Sequence, residues 1–407
     1  MRSIVRGVVA LFAAFLMMDV ANAAPTIVSP ADYSSISTMT ETFKGYLDDP
    51  NFTKTYFNYQ DYGQPNSVRE AQREEFFKNS APVTVSWSGA ASGTSTVKIW
   101  RTHKDASSTP VFIKTTTESS VTFFDLEIGR NYTWTVTDSA GETATGHFYT
   151  LRHAPRMIKS YNTYTEGSAC SNGRDIGGRL TADGTKVVKQ GLIYRTAQLE
   201  YCNPRNADGI YGEMTWLKNV LGIKLDIDLR DASHLTTFYV GPITEGNSWT
   251  EKELTDEGLP MTLLGKHHFN YIWKNNSHLE SVDESSIGDG VVRCCVPAKT
   301  GHGFPSWAGF FSSDTSKQSV WYAFNTMYES VKKGEPLIFH CSHGKDRGGT
   351  LAYVIHGVLG ITKSEATKDF LISWFDNPDE TVATSSITTK IVNNLKTYNS
   401  TGTLKQQ

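Results

Sequence analysis

The feature that most constrains this chain is a short apolar run that leads into a loop with one cysteine and one arginine. Residues 336–340 have the composition of a buried strand. The loop that follows runs from Cys341 to Arg347, and apolar residues at helical spacing cover 350–359. A buried strand, a tight polar loop and a helix in this order are typical of an α/β domain with a mainly parallel sheet.

The spacing within this loop predicts chemistry. Five residues separate Cys341 from Arg347, which suits a loop that curls around a tetrahedral oxyanion. Backbone N–H groups and the helix N-terminus would face the anion, and the planar Arg347 side chain could bind two phosphate oxygens. The same surroundings favour the thiolate form of Cys341, which could attack phosphorus and form a cysteinyl-phosphate. The alternative is a buried, inert cysteine at a strand end.

The rest of the chain separates into regions by pattern. A length of 407 residues predicts two or three domains. Residues 24–80 show no chemistry and are interpreted as an arm or linker in which 34–46 could form a short helix. Short alternating segments over 81–150 predict an antiparallel β-sandwich. Strands and helices alternate over 151–398, in which the irregular stretch 232–315 suggests a cover, and 399–407 is a polar tail.

The N-terminus has the pattern of a secretory signal peptide over residues 1–23. Arg2 and Arg6 precede an apolar run over 7–18, and small residues lead up to a cleavage site after Ala23. The protein is therefore expected to be exported, to the periplasm or the medium, with a membrane anchor as the alternative. No later run reaches 18 apolar residues, so no transmembrane segment is expected.

Composition limits the partners. A net charge of −3 gives no reason to expect nucleic acid as a partner. The 11 histidines show no spacing with carboxylates that suits a metal site, so no metal or other cofactor is expected. The five cysteines are an odd number, so at least one thiol stays unpaired within the chain.

The segment from His340 to Arg347 resembles the signature loop of the cysteine-dependent tyrosine phosphatases, in particular the secreted bacterial branch with a Gly-Lys-Asp-Arg loop. Residues 172–178, 191–197 and 222–230 resemble three further segments of that branch, in the same order. The resemblance covers residues 156–395. It implies a domain like that of the dual-specificity phosphatases and the hydrolysis of phosphate monoesters. By strand rhythm, the preceding module resembles a fibronectin type III or immunoglobulin-like domain, which could bind a protein or carbohydrate partner.

The phosphatase resemblance implies three catalytic residues. Cys341 would be the nucleophile and Arg347 would bind phosphate, while Asp346 lies where this branch keeps its general acid. An ion pair with a neighbouring cation is the alternative for Asp346, and Asp283 and Asp289 are rival acids. Contacts with the substrate are implied for Ser342, His343, Gly344, Lys345 and Gly348. Lys345 would add charge at the mouth of the loop.

Supporting roles are expected for five residues around the loop. His340 would shape the loop by hydrogen bonding. Arg174 and Asp175 are either a pair that braces the loop or part of an ordinary turn. Asp228 and Arg230 lie at a predicted strand end, where site residues collect in open α/β sheets, and a structural ion pair is the equal alternative.

One departure from the family pattern concerns the residue after Arg347. The family usually has Thr or Ser there, and its hydroxyl supports the thiolate when the intermediate is hydrolysed. This chain has Gly348, and Thr350 comes two positions later. Hydrolysis of the intermediate is therefore expected to be slow.

The cysteines and the substrate leave alternatives open. Cys341 must stay reduced, so any disulfides are drawn from Cys170, Cys202, Cys294 and Cys295, with Cys170–Cys202 preferred because these two flank the first family segments. Phosphotyrosine in proteins is the expected substrate. The alternatives are a phosphoinositide or inositol phosphate, which the charge of Lys345 favours, and a binding protein with an inactive phosphatase domain. A sulfurtransferase is disfavoured by the upstream segments.

Overall fold

The computed structural model divides the chain into two compact units. The structure describes residues 23–51, 83–102, 109–158, 172–197, 221–230, 271–274, 278–281, 291–296, 314–341 and 344–373. The first unit comprises Met1–Ile36, Val83–Phe123 and Arg130–Thr150, and the second comprises Ser37–Pro82, Phe124–Gly129 and Leu151–Gln407.

The first unit is built from strands. In chain order they are β1 (Thr26–Ser29), β2 (Ser34–Ile36), β3 (Val83–Ser88), β4 (Ser95–Thr102), β5 (Phe112–Thr116), β6 (Ser120–Phe123), β7 (Arg130–Thr137) and β8 (Thr143–Thr150). One sheet has the order β1-β3-β6 and is antiparallel. The other has the order β2-β8-β7-β4-β5, in which only the β2–β8 pair is parallel. The predicted antiparallel strands are confirmed, whereas the sandwich stays a prediction.

Alternating burial explains why these strands could be predicted. In β3, Val83, Val85 and Trp87 are buried while the residues between them are not, and β7 repeats the pattern with Trp134 at its centre. Two strands were not expected in the arm 24–80. β1 pairs with β3, and β2 pairs with β8.

The second unit contains a seven-stranded sheet and four helices among its described residues. The strands are β9 (Arg174–Asp175), β10 (Ile193–Thr196), β11 (Leu225–Asp228), β12 (Tyr271–Lys274), β13 (His278–Ser281), β14 (Val292–Cys295) and β15 (Leu337–His340). The helices are α1 (Glu41–Asp48), α2 (Asp314–Lys333), α3 (Arg347–Val358) and α4 (Lys363–Ile372). The sheet order is β13-β12-β14-β11-β15-β10-β9. The five inner strands are parallel and both edges are antiparallel, which confirms the mainly parallel sheet.

Two expectations about local structure were wrong. A short helix over 34–46 was expected, but 34–36 form β2, and α1 begins only after Thr40, whose hydroxyl accepts a hydrogen bond from the Phe43 N–H. The stretch 232–315 was interpreted as a cover, yet β14 within it is an interior strand between β11 and β12. Four-residue strands carry too little periodicity to be recognised.

The strand β15 lies between β10 and β11, and all four of its residues are buried. Leu337 and Phe339 belong to one apolar cluster with Leu351 of α3, whereas Ile338 belongs to another with Tyr194 of β10. Both faces of β15 are therefore covered, as expected for a central parallel strand. Within the ranges given above, no helix combines the length and apolar character that a membrane crossing requires.

Candidate active site

Three parallel strands end together where the cysteine loop, residues 341–346, begins. His340 is level with Thr196 of β10 and with Asp228 of β11. The residue after His340 is Cys341, so its thiol lies just beyond the carboxyl edge of the sheet. Ligands of open α/β sheets bind at this edge. The predicted strand, loop and helix around Cys341 are confirmed.

The loop can pass this edge because it contains a glycine. Gly344 has φ +62°, and a Cβ there would lie 2.2 Å from the backbone oxygen of Thr196. No side chain fits that approach. Arg195 also holds the loop, because its Nη2 donates a hydrogen bond to the Gly344 carbonyl at 2.5 Å. Ser342 and His343 lie outside the described residues.

The first turn of α3 faces the sulfur of Cys341. A Cβ built on Gly348 would lie 3.9 Å from the Cys341 Sγ. The thiol is free and only 2% exposed. The N-terminus of α3 carries partial positive charge and unpaired N–H groups, which favour an anion at this place. Cys341 and the helix start are thus brought together as expected.

Arg347 and Asp346 stand where the loop enters α3. The Nη1 of Arg347 donates a hydrogen bond to the Leu229 carbonyl at 3.3 Å, so β11 helps to orient the guanidinium. Asp346 occupies the N-cap position, but its side chain makes no capping hydrogen bond. Its role as general acid stays a prediction, and the rivals Asp283 and Asp289 lie outside the described residues.

Two further loop positions differ in their surroundings. Lys345 is 1% exposed, so its side chain is enclosed, whereas the expectation was a charge at the mouth of the loop. Thr350 is also buried, and its hydroxyl has no hydrogen-bond partner among the described residues. It therefore makes no hydrogen bond to the Cys341 sulfur. Thr350 therefore does not replace the hydroxyl that is missing at Gly348.

His340 connects the loop to a buried carboxylate. Its Nδ1 lies 3.3 Å from the Cys341 carbonyl oxygen, and its Nε2 lies 3.2 Å from Asp226 Oδ1. Both side chains are buried. The expectation that His340 shapes the loop agrees with these contacts, but Asp226 was missed. Two carboxylates on alternate positions of an apolar strand, Asp226 and Asp228, were the signal that could have found it.

Asp228 and Arg230 form a bidentate ion pair at the end of β11. Arg230 Nε lies 2.9 Å from Oδ1, its Nη2 lies 2.5 Å from Oδ2, and its backbone N–H also donates to Oδ1. Both residues are buried. This geometry agrees with the alternative interpretation of Asp228 and Arg230, a structural ion pair.

Arg174 and Asp175 bond to different partners. Arg174 binds Asp369 and Ser373, whereas Asp175 pairs with Arg156 and also accepts two backbone N–H bonds. Burial raises the pKa of Asp175 even though Arg156 opposes the shift. Arg174 and Asp175 therefore make separate contacts, and they do not brace the loop as a pair.

The contact that braces the loop centres on Asp369 of α4. Three guanidiniums donate to this buried carboxylate: Arg174 at 2.9 Å, Arg179 at 2.7 Å and Arg195 at 2.8 Å. Burial alone would raise the pKa of Asp369, but these cations hold it well below the usual value. We call these four residues the arginine cluster.

Arg195 links the arginine cluster to the cysteine loop through its bond to Gly344. Burial, together with the charge of Arg174, lowers the pKa of Arg195 to about 9, so the guanidinium stays charged at neutral pH. Sequence reasoning missed the cluster because Asp369 lies 195 residues from Arg174 along the chain.

Cys294 is the second free thiol among the described residues. Burial, and then the charge of Asp226, raise its pKa to about 12. Cys170 and Cys202 lie outside the described residues, so their pairing stays a prediction.

These features define a class of protein: an α/β domain whose central strand ends in a cysteine loop built for an oxyanion, with an arginine at the helix start. The chain matches the tyrosine phosphatase family over residues 165–399, which is more than half of its length. It belongs to that family and is a phosphoric monoester hydrolase of the protein tyrosine phosphatase type.

Similar solved structures include P. aeruginosa TpbA in complex with pTyr, which is 13% identical, with 52% of this chain and 89% of that chain covered and a TM-score of 0.27. The core catalytic domain of the PP-IP phosphatase SIW14 from S. cerevisiae, in complex with citrate, is 12% identical, with 57% and 96% covered and a TM-score of 0.25. No curated protein matches the chain. The family assignment therefore rests on the family match.

Proposed function

We propose that this phosphatase is exported and hydrolyses phosphotyrosine in proteins through a cysteinyl-phosphate on Cys341. The observation that carries the proposal is the position of the Cys341 sulfur against the first turn of α3, 3.9 Å from the Cβ position of Gly348. A phosphoryl group bonded to that sulfur would meet the helix N-terminus and the Arg347 guanidinium.

In the first step, the Cys341 thiolate attacks phosphorus. An S–P bond forms, and the bond between phosphorus and the tyrosyl oxygen breaks. The Asp346 carboxyl group donates its proton to that oxygen, because a leaving group with a pKa of about 10 departs more easily when it is protonated. Arg347 and the N–H groups of the loop hold the three phosphoryl oxygens.

In the second step, water attacks the phosphorus of the cysteinyl-phosphate. Asp346, now a carboxylate, accepts a proton from the water, and the S–P bond breaks. The products are inorganic phosphate and the regenerated thiolate. No hydroxyl at position 348 can donate to the sulfur as it leaves, so this step is expected to limit turnover.

The enclosure of Lys345 supports phosphotyrosine over an inositol phosphate. A multiply phosphorylated ring needs several cations that reach the substrate at the mouth of the site. Lys345 was the residue that favoured such a substrate, and its side chain is only 1% exposed. A single phosphate on a neutral aryl group needs no charge beyond the loop and Arg347.

A substrate panel tests this choice. The purified enzyme is given phosphotyrosine peptides, phosphoinositide vesicles and a soluble inositol polyphosphate, and phosphate release is measured. We expect the highest kcat/KM for the peptides and no turnover of any substrate by the Cys341→Ser variant. A higher kcat/KM for either inositol substrate would overturn the proposed substrate and leave the phosphatase assignment intact.

The role of Asp346 is tested by varying the leaving group. Asp346→Asn should lose most activity on aryl phosphates whose phenol has a pKa of about 10. It should lose little activity when the phenol has a pKa of about 7, because that leaving group departs readily without being protonated. The easy substrate serves as the internal control for folding. An equal loss on both substrates would assign Asp346 to the loop structure and not to proton transfer.

Export rests on the residues before Ala24. Expression in a host with a secretory pathway, followed by N-terminal sequencing of the exported protein, should find Ala24 as the first residue. A charge in the apolar run, introduced as Leu11→Arg, should keep the protein inside the cell. Export of that variant at the wild-type level would contradict the signal peptide.

A further inference from the structure

A cavity of about 290 Å³ lies within the second unit, and no residue of the cysteine loop lines it. It is bounded by α1, by residues 152–155, by residues 178–181 and by α4. Its lining includes four basic side chains (Lys44, Arg152, Arg179 and Lys368) and three acidic ones (Asp48, Glu365 and Asp369), which leaves a formal charge of +1. A cavity of this size holds a small ligand, and its chemistry is set by the most buried of the basic groups.

That group is Arg179, which is 3% exposed. Its Nη2 donates to Asp369 at 2.7 Å. Its Nε and Nη1 are buried and have no hydrogen-bond partner among the described residues. Buried guanidinium N–H groups without acceptors are costly and uncommon, so an acceptor from outside the chain is the expected complement.

The local charge also calls for an anion. Asp369 is shared by Arg174, Arg179 and Arg195, so three positive charges and one negative charge leave a formal charge of +2 in the arginine cluster. Burial lowers the pKa of the adjacent His356, which keeps it neutral at pH 7. Buried positive charge that is only partly compensated favours a dianion nearby.

Two other cations of the lining, Lys368 and Lys44, have acceptors within the chain. Lys368 donates to the Leu47 carbonyl at 2.6 Å and lies 3.5 Å from Glu365. Lys44 lies 3.6 Å from Glu41 but keeps about a third of its side chain exposed. Lys44 can therefore turn towards a ligand at the cavity entrance, whereas Lys368 mainly joins α1 to α4.

We propose that this cavity is a second anion site, which binds a phosphate-type oxyanion with Arg179 as its main ligand-binding residue. The planar fork of a guanidinium matches two oxygens of a tetrahedral dianion. Free inorganic phosphate and the phosphate group of a monoester share this chemistry. Asp369 also bonds Arg195, which holds Gly344, so the cavity and the cysteine loop share one buried network.

Calorimetric titration with inorganic phosphate tests the site. Cys341→Ser should bind two phosphates per chain, one in the cysteine loop and one in the cavity. Adding Arg347→Ala should abolish phosphate binding in the cysteine loop and leave phosphate binding in the cavity. Adding Arg179→Gln to that pair should abolish binding, whereas adding the control Arg101→Gln, at an exposed position in the first unit, should leave it unchanged.

A second variant tests the site independently, in case Arg179→Gln does not fold. Lys44→Ala, at a partly exposed position, should weaken phosphate binding by the cavity about three- to tenfold while the circular dichroism spectrum stays unchanged. Glycerol phosphate in place of phosphate shows whether a monoester also enters. Absence of millimolar binding in Cys341→Ser/Arg347→Ala, or acetate binding as tightly as phosphate, would overturn the proposal.

Discussion

Two buried cysteines on the same parallel sheet have opposite characters. Cys294 lies within β14, level with Ile227 of β11, and Ile227 is in turn level with Phe339 of β15. Cys341 lies two residues beyond that level, outside the strand and against the start of α3. Burial and a neighbouring carboxylate raise the pKa of Cys294 to about 12, whereas Cys341 faces a helix N-terminus. Cys294 lies inside its strand and stays protonated, whereas Cys341 lies two levels further along the sheet, beyond the strand end, where it can react.

The largest expected effect is on catalysis. Cys341→Ser should reduce aryl-phosphate turnover to below about one per cent of wild type, because the hydroxyl is far less acidic and forms no attacking anion. Cys294→Ala should leave kcat/KM within about twofold, since Cys294 lies inside β14 and not in the cysteine loop. Steady-state kinetics on both purified variants check this. Comparable losses of activity in the two variants would show that Cys294 matters for catalysis as much as Cys341 does.

The next effect tests why the loop after β15 can turn as it does. Gly344→Ala should destabilise the protein by about 3 kcal/mol or more, because the left-handed backbone is strained and the Cβ would overlap Thr196. Gly360→Ala is the matched control, with φ +73° but open space around it. It should lose only about 1 kcal/mol.

Urea unfolding measures both glycine variants. The difference between them isolates the close approach of the loop to β10 from the backbone strain that the two positions share. Equal losses of stability would mean that the loop moves away from Thr196 without difficulty.

A smaller effect concerns the second chemical step. Gly348→Thr should accelerate steady turnover about ten- to a hundredfold and weaken the pre-steady-state burst of phenol, because a new hydroxyl can donate to the departing sulfur. Position 348 is helical, and its Cβ would make an ordinary contact with Cys341 at 3.9 Å. Wild-type enzyme without a burst, together with a variant no faster than it, would show that another donor already acts.

The effect with the smallest consequence at neutral pH is the alkaline behaviour of Cys294. Its folded pKa of about 12 lies above the ordinary value of 9.0, so the unfolded chain releases this proton first as pH rises. The stabilisation is therefore complete below about pH 9 and is lost as pH rises towards 12. Cys294→Ala should flatten this part of the curve of unfolding free energy against pH. An unchanged slope would show that the thiol does not titrate in this way.

The sequence predicted the elements that carry a local pattern. The strand before Cys341 and the helix after Arg347 follow from an apolar run, a polar loop and helical spacing, and both exist. The alternation around Trp87 and Trp134 likewise predicted β3 and β7. The pairing of β1 with β3 carries no such signal, because it joins residues that are far apart in the chain.

For this protein the sequence by itself determined that the proposed nucleophile and the proposed phosphate-binding arginine lie close together. Cys341 and Arg347 belong to one continuous turn between a strand and a helix, so their proximity follows from local spacing. Only the tertiary structure decided which groups hold that turn in place. Asp369 accepts hydrogen bonds from arginines that precede it by 174 to 195 residues. Such a buried charge contact forms only when α4 packs against α3 and brings Asp369 to the arginines of β9 and β10, which no local pattern specifies.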